Sequence, residues 1–548
     1  MSLQKYIKQE LRKSIENNNF ENLKELELLI EKAFDKPNNL VLLGDAYKYS
    51  HHKFYLDGMT KMGSYLESRG GRFSETVFFG LQYFLKRYLK GVAITKQDVD
   101  EAYEYLGTKL GVFGRDDVFD RSKFDYIVEK HGGRLPVKIK AVPEGTVVGT
   151  KNVLLYIENT DPNCAWLTNF LETLILQIWY PITVATLSRE VKKIVKSAFD
   201  TTTDYNDDTK NFLMEFVLND FGFRGVSSVQ SAKIGGAAHL VNFRGSDTTV
   251  ASKLIKENYN TTTVYGQSVP ATEHSIMCLE GIEGEINMMK RVLEKYPTGI
   301  VACVSDTYDI LNAVDNYWGD KLKAEILSRP NEPGNQLVIR PDSGHVINTL
   351  KLVFKSLFNN FGYTRNSKGF KVLPPQIRVI QGDGVNIDSI KEIYNFLIEE
   401  RISAENIVFG MGGKLLQAEI DRDTQNFATK ACYAIINGEE RNVVKSPTEI
   451  DENFNQVKSF KKSKQGIPKL VKTQTGFKTI TSIEEDFEKY EDELVEVFNN
   501  GVITKEWTFE EIRERAKVTK TDLIFETKLD YLKTKESQER AISITKFL

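Results

Sequence analysis

Cysteine and histidine are scarce in this sequence, and neither is arranged for a structural role of its own. The 548 residues include four cysteines without a CxxC pair, which fits a reducing compartment and indicates neither a disulfide framework nor a zinc site. The six histidines show no metal-ligand spacing, so we expect no metal cluster. The cysteines, interpreted as packed thiols, are Cys164, Cys278, Cys303 and Cys432.

An excess of charge and a long apolar run are also lacking. Lys and Arg total 73 against 76 for Asp and Glu, and the net charge of -3 removes the broad attraction that non-specific nucleic-acid binding needs. The N-terminal MSLQKYIKQELRKS has no apolar core of a signal peptide, and the most apolar stretch, 171–187, is interrupted by Glu172, Gln177 and Pro181. We expect a cytoplasmic protein without a nucleic-acid or membrane partner.

What is present is an ordinary globular composition on a long chain. The hydrophobic fraction is 41% and the charged fraction 27%, and a mass of 62.5 kDa suits two large domains or a barrel with a companion domain. Segments 1–36 and 519–548 have helical composition and carry no recognisable chemistry.

The second half of the chain repeats a strand-and-turn pattern. The runs GIVACVSDTYD, QLVIRPDSG, IRVIQGDGV and NIVFGMGG each join an apolar β-branched stretch to a polar turn, at intervals of roughly 30 to 40 residues. This pattern predicts an α/β fold with a βα barrel, whose functional groups gather at the C-terminal ends of the strands. An open doubly wound sheet gives the same local pattern, so the pattern leaves closure open.

Three consecutive strand ends favour ribose and phosphate chemistry. Arg340 and Asp342 in IRPDSG offer a guanidinium and a carboxylate, although a structural ion pair explains them equally well. In QGDGV, Gly382 and Asp383 suit a ribose or a simple tight turn. The pair Gly412 and Gly413 precedes a predicted helix, which is typical of a phosphate site.

Further candidates lie upstream. DFGFRGVSS places Phe221 near Arg224, VNFRGSDTT supplies Asp247, and any of these could be a core or surface residue. SVPATEHS holds Glu273 and His274, and SDTYD ends in Asp309. A histidine in such a loop is more often a packing or capping residue than a catalytic one. The further strand-end residue Ser305 begins SDTYD.

A family resemblance covers most of the chain, from about Leu40 to about Ala516. The succession GDAYKYSHH, ETVFFGLQY, YLKG, KAVPEG, ENTDPNCAWLTNFLETLILQIWYPITVAT, DFGFRGVSS, SVPATEHS, VSDTYD, IRPDSG and QGDGV resembles the nicotinamide phosphoribosyltransferases of the nicotinate phosphoribosyltransferase family. The resemblance implies transfer of phosphoribosyl from phosphoribosyl pyrophosphate to nicotinamide, which gives nicotinamide mononucleotide and pyrophosphate in NAD salvage.

The resemblance also implies a type II phosphoribosyltransferase fold and a head-to-tail homodimer with active sites between subunits. The fold is an irregular βα barrel with a companion α/β domain and helical terminal extensions. The implied division is an N-terminal extension 1–39, a companion domain 40–180, a barrel 181–425, the second part of the companion domain 426–518 and a C-terminal extension 519–548.

The implied site binds nicotinamide and the phosphoribosyl group side by side. Phe221 and Tyr47 of the partner subunit resemble the aromatic plates around the pyridine ring, beside Arg340. Asp247 resembles the acceptor for the carboxamide NH2, and a carboxylate there repels nicotinate. The positions that match ribose, phosphate or diphosphate binding are Arg224, His274, Ser305, Arg340, Asp342, Gly382, Asp383, Gly412, Gly413, Arg422, and Arg69 and Lys430 of the partner subunit.

The resemblance assigns the catalytic group to His274, with Asp309 orienting its ring and Glu273 close by. His274 corresponds to a phosphorylated histidine that couples ATP hydrolysis to the transfer. Mg2+ would accompany the pyrophosphate, and its protein ligands stay unknown.

Departures from the family pattern affect the glycine loop. Met411 and Lys414 flank the glycine pair where relatives carry Ser and Gly. An extra residue before Arg422 makes the register of Arg422 and of Lys430 less secure, and Asn219 replaces a histidine.

A nicotinate enzyme would place a basic group where Asp247 stands. A catalytically silent binding protein would have lost one of His274, Asp309, Arg340 or Asp383, and all four are present.

Overall fold

The computed structural model describes Lys13 and residues 39–458 and 462–519, and it is an α/β protein with two large sheets. Apart from Lys13, Asn39 and Thr519, the predicted terminal extensions lie outside the described residues. The strands are β1 (Met59–Ser68), β2 (Glu75–Val77), β3 (Val137–Ala141), β4 (Val147–Gly149), β5 (Val153–Asn159), β6 (Leu218–Asp220), β7 (Gly245–Ser246), β8 (Val301–Val304), β9 (Leu337–Arg340), β10 (Thr364–Arg365), β11 (Lys371–Val372), β12 (Ile377–Gln381), β13 (Ile407–Met411), β14 (Phe427–Ile436), β15 (Glu439–Asn442), β16 (Thr448–Ile450), β17 (Gln456–Lys458), β18 (Pro468–Thr473), β19 (Gly476–Thr481), β20 (Val495–Asn499) and β21 (Val502–Ile503).

The helices fill the connections and cover the sheets. Side-chain caps set several of their starts: Thr95 and Asn386 each form a reciprocal capping box at a helix N-terminus. The longer α-helices are Lys96–Leu106, Arg121–His131, Trp179–Thr202, Asp207–Met214, Val229–His239, Thr249–Asn258, Gly281–Lys295, Val346–Phe361, Ile387–Glu399 and Phe509–Ala516; the short ones are Leu81–Phe84, Leu167–Phe170, Glu172–Ile175, His274–Met277, Ile310–Asn312, Lys323–Leu327 and Gly413–Leu416.

Six strands form a parallel sheet in the order β7-β6-β13-β12-β9-β8. Every neighbouring pair is parallel. All four residues of β8 are buried, as expected for a strand that is covered on both faces. Because parallel strands end at the same edge, the predicted strand-end residues meet at one side of this sheet.

An extended segment joins the two edges of the parallel sheet. Gln267 makes a parallel bridge to Gly245 in β7, and Ala271 makes one to Ala302 in β8. The Ser246 N–H donates to the Gln267 carbonyl at 2.9 Å, which fixes one of these contacts. The sheet therefore curls into an irregular ring, which confirms the predicted βα barrel over the open sheet.

The second large sheet has the order β15-β14-β1-β5-β3-β20-β21 and antiparallel pairing. Strand β1 lies between β5 and β14, so the sheet combines an early and a late stretch of chain. The division at residues 180 and 425 stays a prediction.

One helical stretch, Pro162–Thr202, is long and apolar enough to cross a membrane by length and composition. However, 67% of its apolar window is buried inside the protein. Its main helix, Trp179–Thr202, packs against the helices Val229–His239 and Ile387–Glu399 and against β2. This stretch is therefore a mostly buried core element of the fold.

Candidate active site

Phe221 lies at the C-terminal end of β6, over the mouth of the barrel. Its ring packs against the interior cluster of Ala302, Val338 and Ile380. A Cβ atom at Gly410 would lie only 2.0 Å from Phe221 Cε2. The ring therefore lies directly on the glycine backbone of β13, and a side chain at position 410 would displace it.

Asp220 precedes Phe221 and holds the backbone that follows the ring in place. The side chain is buried, and its Oδ1 accepts a hydrogen bond from the Gly222 N–H at 2.7 Å. Burial raises the pKa of Asp220 to about 6, with the Gly222 N–H opposing and the nearby Asp247 charge adding to the shift. Asp220 also fixes Asp247, whose N–H donates to the Asp220 carbonyl at 2.9 Å.

Asp247 follows β7 and has an exposed side chain. The Ser268 hydroxyl donates to its Oδ1 at 2.5 Å, from the segment that closes the barrel. The neighbouring Asn219 points elsewhere: its Nδ2 donates to the carbonyls of Phe216 and Phe409, at 3.2 and 3.1 Å. Asp247 thus offers an accessible acceptor beside the end of β6, whereas Asn219 ties β6 to β13.

Gly382 is the point where three strand ends meet. A Cβ atom there would lie 3.1 Å from Asp342 Oδ1, 3.9 Å from Arg340 Cδ and 4.0 Å from Phe221 Cε2. Arg340 Nη2 donates to Asp342 Oδ2 at 3.2 Å, while the buried Arg340 Nε has no hydrogen-bond acceptor in the described part of the chain. The arrangement places an unused donor, which suits an anionic or carbonyl group, beside an aromatic face.

His274 contacts a carboxylate at the end of β8. Its Nε2 lies 3.1 Å from Asp306 Oδ1. The other oxygen of Asp306 accepts from the Asp342 N–H at 2.8 Å and from the Ser343 hydroxyl at 2.6 Å. The loop after β9 therefore holds Asp306 in place for the imidazole.

Asp309, which the resemblance pairs with His274, has a different contact. Its Oδ1 caps the helix Ile310–Asn312, accepting from Leu311 and Asn312 N–H groups at 2.9 and 3.0 Å. The exposed Glu273 accepts a hydrogen bond from the Ser275 hydroxyl. Ring orientation by Asp309 and catalysis by Glu273 stay predictions.

Ser305 is fully buried at the end of β8. Its hydroxyl donates to the Cys303 carbonyl at 2.9 Å and accepts from Trp318 Nε1 at 3.1 Å. The hydroxyl is therefore engaged within the protein, and only the backbone of Ser305 lies at the strand end.

The glycine loop after β13 packs against the loop that follows Phe221. A Cβ atom at Gly225 would lie 3.1 Å from Gly413 Cα, and Gly412 precedes the short helix Gly413–Leu416. Arg224, at the tip of the facing loop, is exposed. Asp383 follows the end of the neighbouring strand β12. It is exposed and has no side-chain hydrogen bond or ion pair within residues 39–458 and 462–519.

The remaining predicted phosphate-binding cations cluster on the antiparallel sheet. Burial lowers the pKa of Lys430, Glu172 opposes this, and the positive charges of Arg69, Lys445 and Arg422 lower it further. The buried Arg69 Nη2 has no acceptor among the described residues. We call Arg69, Arg422, Lys430 and Lys445 the sheet cluster.

Tyr47 lies in the 3-10 helix Ala46–Lys53 and is 59% exposed. Its ring makes an edge contact with His51. Among the described residues, no hydrogen bond, ion pair or ring contact joins Tyr47 or the sheet cluster to Phe221 or Arg340. The described part of one chain thus brings Phe221, Arg340, Asp342 and Gly382 together without linking Tyr47 or the sheet cluster to Phe221 or Arg340 by such a contact.

Sequence reasoning missed Asp306, Asp220 and Gly410. Each lies inside a motif that was recognised, namely VSDTYD, DFGFRG and FGMGG. The signal was an additional carboxylate or glycine at a strand end, but the motif does not say which copy faces the site.

Comparisons with known proteins agree over most of the chain. The model of the nicotinate phosphoribosyltransferase (NAPRTase) family matches residues 216–500, and that of the nicotinamide phosphoribosyltransferase N-terminal domain matches residues 39–139. A nicotinamide phosphoribosyltransferase of Xanthomonas campestris pv. campestris is 40% identical over 485 residues, covering 87% of this chain and 98% of the relative. One of Acinetobacter baylyi is 32% identical over 506 residues, covering 86% and 95%.

Two solved structures share the fold. The nicotinate-nucleotide pyrophosphorylase from Pyrococcus furiosus has a TM-score of 0.54 and 15% identity, covering 89% of this chain and 97% of that one. The human nicotinic acid phosphoribosyltransferase has a TM-score of 0.50 and 15% identity, covering 87% and 93%. Because the sequence identity is 15% in both cases, these two similarities establish the fold alone.

Proposed function

The chain belongs to the nicotinate phosphoribosyltransferase family, and we propose that it transfers phosphoribosyl from phosphoribosyl pyrophosphate to nicotinamide in NAD salvage. The observation that carries this proposal is the convergence of Phe221, Arg340 and Asp342 around Gly382. An aromatic face, a cation with an unused donor and a carboxylate meet within the space of one small ligand. This combination suits a pyridine ring that reacts beside a sugar phosphate.

In this proposal nicotinamide lies on Phe221, with its carboxamide NH2 donating to Asp247. The exposed carboxylate of Asp247 accepts from an amide and repels the carboxylate of nicotinate. The pyridine nitrogen lone pair forms the bond to C1 of the ribose. The C1–O bond breaks at the same centre, and pyrophosphate leaves with the electron pair.

Phosphoribosyl pyrophosphate is held by the surrounding strand ends. Arg340 and Arg224 offset phosphate charge, Asp383 accepts from ribose hydroxyls, and the Gly412–Gly413 loop offers backbone N–H groups. Since little covalent chemistry falls to the protein, positioning and charge stabilisation provide the catalysis. The carboxylate oxygens of Asp342 and of Asp383, which forms no ion pair with the described residues, fit Mg2+, which would neutralise charge on the pyrophosphate.

ATP coupling is proposed to act through His274. Because Asp306 accepts from Nε2, the lone pair remains on Nδ1, which is the nucleophile for the γ-phosphate of ATP. The Nδ1–P bond forms as the bond from phosphorus to the ADP oxygen breaks, and ADP leaves. Asp306 stabilises the positive charge that develops on the ring.

A head-to-tail homodimer in the cytoplasm completes the proposal. The sheet cluster and Tyr47 carry suitable phosphate-binding and stacking groups, but among the described residues they form no hydrogen bond, ion pair or ring contact with Phe221 or Arg340 of their own chain. In a dimer they would face the barrel mouth of the other subunit. Tyr47 of the partner subunit would then cover the pyridine ring that Phe221 supports.

The assay that tests this function measures mononucleotide formation by the purified protein with phosphoribosyl pyrophosphate and magnesium. Nicotinamide and nicotinate are compared, each with and without ATP. We expect selective turnover of nicotinamide and stimulation by ATP. Selective turnover of nicotinate would assign the acid as the substrate, and no turnover with either base would contradict enzymatic activity.

Asp247→Asn should reduce discrimination between the two pyridines. Losing the negative charge removes repulsion of nicotinate, and the asparagine carbonyl still accepts from nicotinamide. We expect the ratio of kcat/KM values to fall by roughly 10- to 100-fold. The exposed Asp388→Asn, at a helix start on the barrel surface, is a matched control. An unchanged ratio in Asp247→Asn would remove this residue from substrate selection.

Gly410→Ala should weaken binding of the pyridine ring. The added methyl group would lie 2.0 Å from the present position of Phe221 Cε2, so the ring must move. We expect KM for nicotinamide to rise by roughly 2- to 12-fold, the value of one aromatic contact. Gly149→Ala is the matched control, because its nearest neighbour is an Asn152 nitrogen at 3.7 Å. An equal change in both variants would contradict the role of Gly410.

A further inference from the structure

A cavity of about 970 Å³ has a wall that includes none of the strand-end residues of the candidate active site. The segment after β2, the hairpin of β20 and β21, and the helices Val229–His239 and Thr249–Asn258 line it. Tyr88, Lys90 and Gly91 of the YLKG motif are part of this wall. The proposed reaction leaves this motif without a role.

Positive charge dominates the cavity wall. The two lining carboxylates belong to Glu257 and Glu506. The whole chain carries a net charge of -3, so this surplus is local. The lining cations are Lys86, Arg87, Lys90, Arg134, Lys233 and Lys253.

The two carboxylates neutralise only part of this charge. Lys86 Nζ lies 2.8 Å from Glu506, and Lys253 Nζ lies 3.6 Å from Glu257 in an exposed pair. Within the part of the chain that the structure describes, four cations of the wall form no ion pair. They are Arg87, Lys90, Arg134 and Lys233.

Arg87 is held in place without being neutralised. Its guanidinium lies over the rings of Tyr83 and Tyr88, with its carbon 5.9 and 5.6 Å from their centroids. The Tyr88 hydroxyl accepts from Gln230 Nε2 at 2.8 Å, which fixes that ring. The buried Arg87 Nε has no acceptor among the described residues, a state that costs free energy unless a ligand supplies one.

Glycine backbone shapes the opposite part of the wall. The Gly91 N–H donates to the Gly501 carbonyl at 2.8 Å, and both residues have positive φ, at 72° and 83°. A Cβ atom at Gly501 would lie 2.9 Å from Arg134 Cβ, whereas one at Gly91 would meet no atom within 4 Å. The missing side chain at Gly501 thus allows Arg134 to pack against the turn, and the space beside Gly91 stays open.

We propose that this cavity binds a small ligand carrying two or more phosphate groups. Several cations that form no ion pair with the described residues match the several oxygens of such a ligand, and the volume suits a small molecule. This cavity is separate from the barrel mouth, so the proposal does not depend on which reaction takes place at the barrel mouth. Lys233 lies on the helix that begins directly after the Phe221 loop, so a bound ligand contacts the element that carries this loop.

The test is calorimetric titration of the full chain with inorganic tripolyphosphate. Wild type is compared with Arg87→Gln/Lys233→Gln, with the charge-matched surface double variant Lys290→Gln/Arg291→Gln, and with Arg340→Gln at the barrel mouth. We expect the cavity double variant to weaken one binding event by roughly 100-fold, since two charge-assisted contacts are lost. That event should persist in the other two variants.

Loss of binding in Arg340→Gln alone would place all tripolyphosphate at the barrel mouth and overturn the proposal. Equal weakening by the cavity and surface double variants would indicate general charge attraction, and no binding by wild type would also overturn it. Melting temperatures show whether the double variant folds. Should it not fold, Lys90→Gln replaces it, because Lys90 is exposed and forms no ion pair with the described residues; we expect a weakening of roughly 10-fold.

Discussion

Asp306→Asn should reduce phosphorylation of His274 by ATP by at least about 100-fold, whereas Asp309→Asn should leave most of it. The asparagine keeps its carbonyl for the Asp342 N–H and turns its NH2 group toward the imidazole. The Nε2 atom must then accept rather than donate, so the proton moves to Nδ1 and the nucleophilic lone pair is lost. The measurement is acid-labile phosphate transferred from the γ-position of ATP to the purified protein.

The two variants distinguish the geometry of the structure from the family resemblance. Asparagine is an effective N-cap, so Asp309→Asn preserves the helix Ile310–Asn312 while removing the charge. A large loss in Asp309→Asn with little change in Asp306→Asn would assign ring orientation to Asp309. Comparable melting temperatures for both variants exclude an effect through unfolding.

Arg340→Gln should lower kcat/KM for phosphoribosyl pyrophosphate by roughly 100- to 1,000-fold. The substitution removes a partly buried positive charge and the Nε donor that has no acceptor in the described structure. It also leaves Asp342 without its 3.2 Å contact, so a negative charge faces the phosphates. Initial rates at varied phosphoribosyl pyrophosphate measure the effect.

Two further variants isolate the geometry of the guanidinium. Arg340→Lys keeps the charge but not the planar fork, so only part of the activity should return. Arg365→Gln removes an exposed arginine from β10 and should change the rate by less than about twofold. An Arg340→Gln enzyme within about threefold of wild type would contradict the assignment, because such a difference is below 1 kcal/mol.

The residues at the strand ends could be predicted because the sequence pattern that indicates them is local. The apolar runs before Arg340, Gly382 and Gly412 predict buried parallel strands, and the turn residues that follow predict where their ends meet. The structure brings Phe221, Arg340, Asp342 and Gly382 together as this reasoning requires. The absence of paired cysteines and of excess charge likewise follows from composition alone.

Closure of the barrel required the tertiary structure. The joining segment has no strand pattern, contains Pro270 and makes single bridges at Gln267 and Ala271 rather than a ladder. Its partners lie on β7 and β8, which are separated along the chain. No local periodicity encodes such contacts, because each depends on the position of both sheet edges.

The sequence by itself determined the family, the repeated strand-and-turn pattern and which motifs supply the candidate site. The tertiary structure decided which side chain in each motif faces it: Asp306 rather than Asp309 contacts His274, and Ser305 turns inward to Trp318. It also gathered the cations around Arg87 from distant parts of the chain. The physical reason is that a motif fixes residue types and spacing, whereas side-chain direction beyond a strand end depends on long-range packing and hydrogen bonds.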